Sequence, residues 1–271
     1  MKSKMAVSRF HFRSISLPSR LHPINTPKTE NQLQKLKSWQ ISNSPSQTAP
    51  ITSEAIQFGL LKLAELYNSV SLLHQDGKSV EKSLESSVEL LDFCNIIREL
   101  IMTIKENVQA LQSALRRKGL DFSIQIDINT YFSFRKRMNK IIAKSLKKNK
   151  NFENKSGPTG VLSEVGGATL DIFKCILMFL SSKSGGWNFV FTKSVDASVI
   201  SEMGSVDFAL RTLLGKFKNN GAKVVDIQNL RRKLQNFEAC LEEIERGLER
   251  LFRQLVRSRV ALLNVLTDHL K

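Results

Sequence analysis

The side chains best suited to chemistry are few and far apart. Four histidines stand at His11, His22, His74 and His269, and three cysteines at Cys94, Cys175 and Cys240. None shares with a second Cys, His or carboxylate the short spacing that a zinc site requires. Three cysteines, odd in number and widely separated, fit a reducing compartment and not a disulfide scaffold. Each falls on or near an apolar helical face and reads as a small buried hydrophobe. Gly157, Gly160, Gly166 and Gly167 neither follow a strand nor precede a Lys-Ser/Thr pair, so they do not read as a phosphate-cradling loop. A Gly-x-Ser-x-Gly elbow does not occur. Glu242 and Glu243 sit among arginines and read as solvated ion pairs. The expectation is a protein that is not an enzyme, with no cofactor and no metal.

Two segments carry the chemistry of recognition instead. Arg13-Ser14-Ile15-Ser16-Leu17-Pro18 matches the Arg-Ser-x-Ser-x-Pro pattern that 14-3-3 proteins bind when the second serine is phosphorylated. A dianionic phosphate pairs there with an arginine cluster, and the proline turns the chain out of the groove. Arg13, Ser14, Ser16 and Pro18 are therefore the candidate partner motif, against the plain alternative of a Ser/Arg-rich tail that matches by chance. The second segment holds Arg135, Lys136, Arg137, Lys140, Lys144, Lys147 and Lys148, with Lys150 beyond. On a helix, positions 136, 140, 144, 147 and 148 share one side while Ile141 and Ile142 face inward. Tyr131, Phe132 and Phe134 precede these charges instead of interleaving with them, which disfavours nucleic acid. An anionic membrane surface or an acidic protein partner suits the set better than a nuclear import signal does. A solvated helix face is the bland reading.

These segments account for an uneven charge. The 271 residues carry a formal net charge of +16. Residues 1–50 hold eight Lys/Arg against Glu30, and residues 116–155 hold twelve against Asp121, Asp127 and Glu153. The rest of the chain is balanced. A field confined in this way attracts anionic partners locally and not over the whole surface.

The elements that must position these groups are helical. Residues 1–50 contain five of the six prolines and read as a mostly disordered basic tail, with one docking helix over Gln32–Ile41 presenting Leu33, Leu36 and Trp39. The tail also has the composition of an organelle transit peptide, rich in Ser and Arg, with a single acid. The location expected is the cytoplasm, at membrane surfaces, or the plastid if residues 1–50 act as that peptide. Ile56, Leu60, Leu63, Tyr67, Val70 and Leu73 mark a helix from Ser53 that Asp76-Gly77 ends. A long helix spans Val80–Lys118 with an apolar line through Val80, Leu84, Val88 and Leu91 to Cys94, Ile97, Ile101, Ile104, Val108, Leu111 and Leu115. Gly119 supplies its left-handed stop.

A third helix covers Ile124–Asn149, with Ile128, Tyr131, Met138, Ile141 and Ile142 inward. Shorter ones cover Val161–Ser181 and Ser198–Lys218. The last covers Val224–Leu270, where Leu230, Leu234, Phe237, Leu241, Ile244, Leu248, Leu251 and Leu255 step by four and three as a heptad seam. That seam packs within the chain against the other long helix, or between two chains; the first is preferred. The longest nearly apolar stretch, Ala168–Leu180, contains Asp171 and Lys174 and is too short to span a bilayer. Asn188–Thr192 is the single weak candidate for a strand. The fold class expected is all-α. It is an elongated antiparallel helical bundle, with two long heptad-patterned helices in a single domain over residues 51–271.

Three stretches resemble a plant family of helical proteins related to BYPASS, a factor in root-to-shoot signalling. They are FHFRSISLPSRLHP at Phe10–Pro23, SSVELLDFCNIIRELIMTIKENVQALQSALRRKG at Ser86–Gly119, and LEEIERGLERLFRQLVRSRVALLNVL at Leu241–Leu266. Proteins of this kind begin at a Met-Ala pair, which the resemblance places at Met5-Ala6. The resemblance implies a role in root and shoot development and offers no catalytic residue to carry over. The function expected is a non-enzymatic interaction or signalling protein. The alternative is a peripheral membrane adaptor in trafficking that binds anionic lipid through residues 135–150.

Overall fold

A computed structural model describes residues 26–42, 51–70, 77–155, 161–181 and 201–269. Its elements are α1 (Thr26–Ser42), α2 (Ser53–Val70), α3 (Gly77–Lys118), α4 (Ile124–Lys155), α5 (Val161–Ser181), α6 (Glu202–Lys218) and α7 (Val224–His269). Among the described residues all regular structure is helix, so the fold is all-α. The Arg13–Pro18 motif, the strand candidate Asn188–Thr192, and Leu73, His74 and Asp76 lie outside the described residues.

The two long helices form the axis of the bundle. At 1.5 Å per residue, α3 extends about 63 Å and α7 about 69 Å. All eight seam residues of α7, Leu230 through Leu255, are buried. They meet the line of α3 from Cys94 to Leu115, which is also buried, so the seam is covered within the chain. Partners fall in number along one helix as they rise along the other, which makes the pair antiparallel. Arg259 Nη1 donates to Leu84 O at 2.7 Å, Arg98 pairs with Glu249 at 2.8 Å, and Lys105 with Glu245 at 2.7 Å. Gln109 and Gln112 both donate to Glu238.

Val80 and Leu84 are buried as expected, and α3 departs from the expected line at Val88. Helix α3 begins at Gly77, three residues before the expected Val80. Val88 is 41% exposed, while Ser87, Leu90 and Phe93 are buried. Six residues of α-helix separate Val88 from Cys94, which sets the two about 120° apart around the axis. The serine at 87, whose Oγ donates to Leu84 O at 2.6 Å, occupies the buried stripe in its place.

Helix α5 fills the centre. Twelve of its side chains are buried, and α1, α2, α3 and α4 all pack on it. A helix that is apolar nearly all round belongs in a core or a bilayer; here the surrounding helices cover it. No helix among the described residues is long and apolar enough to cross a membrane. The hydroxyls of Tyr67 and Thr169 hydrogen-bond at 2.9 Å inside this core.

Helix α1 docks on α2 and α5 through Leu36 and Trp39, as the spacing predicts, but is longer than expected at both ends. Trp39 Nε1 donates to Ala55 O at 2.9 Å. The indole lies so close to α2 that a Cβ at Gly59 would come within 2.7 Å of Trp39 Cζ2. At the far end of α3, Gly119 adopts a φ of +55°, as expected of the residue that stops the helix. Helix α6 starts at Glu202, with the Ser201 side chain accepting from Gly204 N.

Candidate anionic-surface site

Helix α4 divides into two faces. Ile124, Ile128, Tyr131, Phe134, Met138, Ile142 and Ser145 are buried and repeat at three and four, which lays one side of the helix on the bundle. Lys136, Arg137, Lys140, Lys144, Lys147 and Lys148 are exposed. At 100° per residue, positions 136 to 148 of this set fill an arc of about 120° centred opposite the buried stripe. Residues 128–152 contain no acid, and none of the six cations has an ion pair among the described residues. Lys148 Nζ lies over the ring of Phe93 at 5.9 Å, which anchors that end of the row. The other cations project from one side of the helix with no ion pair among the described residues, and their field adds along that side.

Arg135 does not belong to this face. It is 3% exposed, with its guanidinium turned into the bundle. Nη1 donates to Leu180 O at 3.0 Å and Nη2 reaches Asp207 Oδ2 at 3.4 Å. Tyr131 Oη donates to Asp207 Oδ1 at 3.3 Å. The guanidinium thus lies where the last carbonyls of α5 point, a favourable place for a cation, and ties α4 to both α5 and α6. Burial pushes the Tyr131 phenol well above its ordinary range, with the Asp207 charge adding to it, so the ring stays neutral. Charge type hid this role. The signal that reveals it is spacing, because Arg135 stands seven residues from both Ile128 and Ile142 on the buried stripe. Ile141 is corrected in the opposite sense: it is exposed, and Ile142 alone of the pair faces in.

The arginine row of α7 is built differently. Arg246 pairs with Glu243, and Arg253 with Glu249 at 3.2 Å. Glu249 also takes Arg98 from α3. Glu245 pairs across the seam with Lys105. These charges hold α3 on α7.

The three cysteine thiols are all raised by burial. Burial pushes the Cys94 thiol up to about 12 and the Cys175 thiol up to about 11. Cys240 is raised as well, again chiefly by burial. Its sulfur lies 3.3 Å from Ser53 Oγ, and Ser53 donates to Glu202 Oε1 from its backbone N at 3.1 Å and from Oγ at 2.6 Å. A thiol with a raised pKa next to carboxylates is the opposite of an activated cysteine. This cluster joins the first turns of α2 and α6 to α7. Among the described residues, no group of three or more His, Cys, Asp or Glu could hold a metal ion.

The family model for Protein BPS1 matches residues 59–265, from the middle of α2 to the last turns of α7. The Ser86–Gly119 stretch falls inside that range, Leu241–Leu266 runs to its edge, and Phe10–Pro23 lies before it. Among curated proteins and among solved structures, none matches the chain.

Proposed function

The chain belongs to the BPS1 family, and on that premise we propose that it acts in plant root and shoot development as a non-enzymatic interaction protein. Its contact surface is the outward face of α4. The observation that carries this reading is the row of six exposed cations, with no ion pair among the described residues, on a helix whose opposite side is packed on the bundle. Such a row is a poor device for stability, because like charges on adjacent turns repel. It is a good device for attracting and orienting an anionic surface.

An acidic protein partner and the headgroup layer of an anionic membrane both present that chemistry. The second reading, a peripheral adaptor, is supported by the lysine content, since each Lys or Arg near an anionic bilayer contributes about 1 kcal/mol. Two measurements with the charge reversal K136E/K140E/K144E test the face. In an affinity capture from root tissue, partners held by α4 are lost from the variant. In flotation with phosphoinositide-containing liposomes, a membrane contact appears as binding that the variant loses and that weakens steeply with salt. Unchanged behaviour of the variant in both assays would sink the reading. The tail motif adds a separate contact: phosphorylation of Ser16 creates binding to a 14-3-3 protein, and a phosphopeptide spanning Arg13–Pro18 that shows none excludes it.

A further inference from the structure

One end of the bundle combines exposed apolar side chains with cations in a way that neither packing nor α4 explains. The α3–α4 turn exposes Leu120 and Phe122, and the first turn of α4 exposes Ile126, with Phe122 at 63% and Ile126 at 68%. The start of α7 exposes Val224 and Val225, at 58% and 59%. The two turns share this end, because Phe122 packs edge-on against Phe217 in the last turn of α6, with centroids 6.0 Å apart. Five large apolar residues thus stand largely in water at one tip, with the ring of Phe122 also touching Phe217.

The rim is basic. Arg116, Arg117 and Lys118 close α3, Lys216 and Lys218 close α6, and Lys223 precedes α7. The three acids nearby are occupied in holding the turns. Asp121 accepts from Ser123 N at 2.7 Å, and Asp127 pairs with Lys118 at 2.6 Å. Asp226 pairs with Lys216 at 2.5 Å and accepts from Lys223 N. These bonds hold the carboxyls of Asp121 and Asp226 below the ordinary carboxylate range. Arg116, Lys218 and Lys223 have no ion pair among the described residues, so the rim keeps a net positive charge.

We propose that this tip is a membrane-insertion wedge, in which Phe122, Ile126 and Val225 enter the interfacial layer of an anionic bilayer while the surrounding Lys and Arg bind its headgroups. The rim decides the occupant. Lysine is depleted at protein–protein interfaces. Apolar side chains ringed by cations with long aliphatic stems suit the boundary between acyl chains and anionic headgroups. The proposal rests on the tip alone and does not need the α4 reading. Lys136–Lys148 begin about 18 Å along α4 from Ile124, so an end-on contact and a contact along the α4 flank involve different residues.

The test uses the full chain with vesicles of phosphatidylcholine containing phosphatidylserine. The triple substitution F122S/I126S/V225S changes positions that are more than half exposed, and thermal unfolding checks that the fold survives loss of the Phe122–Phe217 contact. Its vesicle affinity is expected to fall at least about tenfold, since three apolar insertions are lost. In a second variant, F122W, the added indole emission is expected to shift to shorter wavelength with vesicles, relative to the wild-type spectrum, and to be quenched by lipids brominated in their acyl chains. Binding that survives the triple substitution but is lost in K136E/K140E/K144E assigns the membrane contact to α4 and overturns the wedge. Vesicle binding without quenching of the F122W indole overturns it as well. So does a concentration-dependent dimer that the triple substitution abolishes, since the tip would then cover a second copy.

Discussion

Helices α4 and α7 are both rich in Lys and Arg, and both lay an apolar stripe on the bundle, yet their charges do opposite things. On α7, glutamates sit within a turn of the arginines, and the carboxylates also reach across to Arg98 and Lys105. The glutamates hold two long helices in register, and Arg246 and Arg253 are paired within their own helix. On α4 the exposed cations have no acid within reach along 128–152. The number of basic residues is therefore a poor guide to an anion-binding surface. What matters is whether counter-charges are built in at helical spacing.

The sharpest way to break this contrast is at Arg135, the one cation of the basic segment that the fold consumes. Asp207→Ala leaves a buried guanidinium without its carboxylate and is expected to lower unfolding free energy by about 3–5 kcal/mol, read by urea denaturation. Lys136→Ala, one residue away, is expected to stay within about 0.5 kcal/mol of wild type. Equal effects would erase the distinction between the two faces.

Next in size is neutralisation of the outward row. K136Q/K140Q/K144Q is expected to weaken binding to anionic vesicles or an acidic partner by about 3 kcal/mol, roughly a hundredfold, at low salt. Its thermal unfolding should match wild type. Removing two cations from α7 with R246Q/R253Q should leave binding within a few fold, because their charge is already compensated.

A smaller effect tests the docking of α1, which lies on the neutral side of the comparison. Gly59→Ala drives a methyl into the Trp39 indole and is expected to destabilise by about 1–3 kcal/mol. Trp39 fluorescence should move toward that of a solvated indole if the helix lifts. The smallest effect belongs to Glu249→Gln, which removes the carboxylate shared by Arg98 and Arg253. These groups are partly exposed, so the loss is expected to be about 1 kcal/mol or less and to shrink as salt is added.

How much of this was legible in the residues depends on what carries each feature. The α7 seam could be read in full, because eight apolar residues in unbroken four-three alternation admit one face only. The first turns of α3 were misread at Val88, because the buried stripe passes through a serine there and an apolar residue lies nearby on the wrong side. Arg135 was misassigned for the same reason in reverse: its charge pointed outward and its spacing pointed inward, and the spacing was right. The tip went unnoticed because Leu120 and Phe122 in a turn, and Val224 and Val225 at a helix start, have no period to betray them. Their meaning comes from the contact of Phe122 with Phe217, which joins segments far apart in the chain. The outward α4 face was legible in composition, and the geometry removed one of its seven named members.

The antiparallel pairing of α3 with α7 also governs how the chain is made. The line from Cys94 to Leu115 is complete once Lys118 has been synthesised, but the helix that covers it ends about 150 residues later. At about 5–20 residues per second, that face waits roughly 8–30 s on the ribosome before its partner is available. Throughout that interval it is a heptad-patterned apolar surface, the kind that pairs with an identical surface on a neighbouring nascent chain. Crowded polysomes should therefore favour wrong pairing, and early binding of a chaperone to residues 86–118 should suppress it. The largest interface between two helices in the finished protein is the last that synthesis allows it to form.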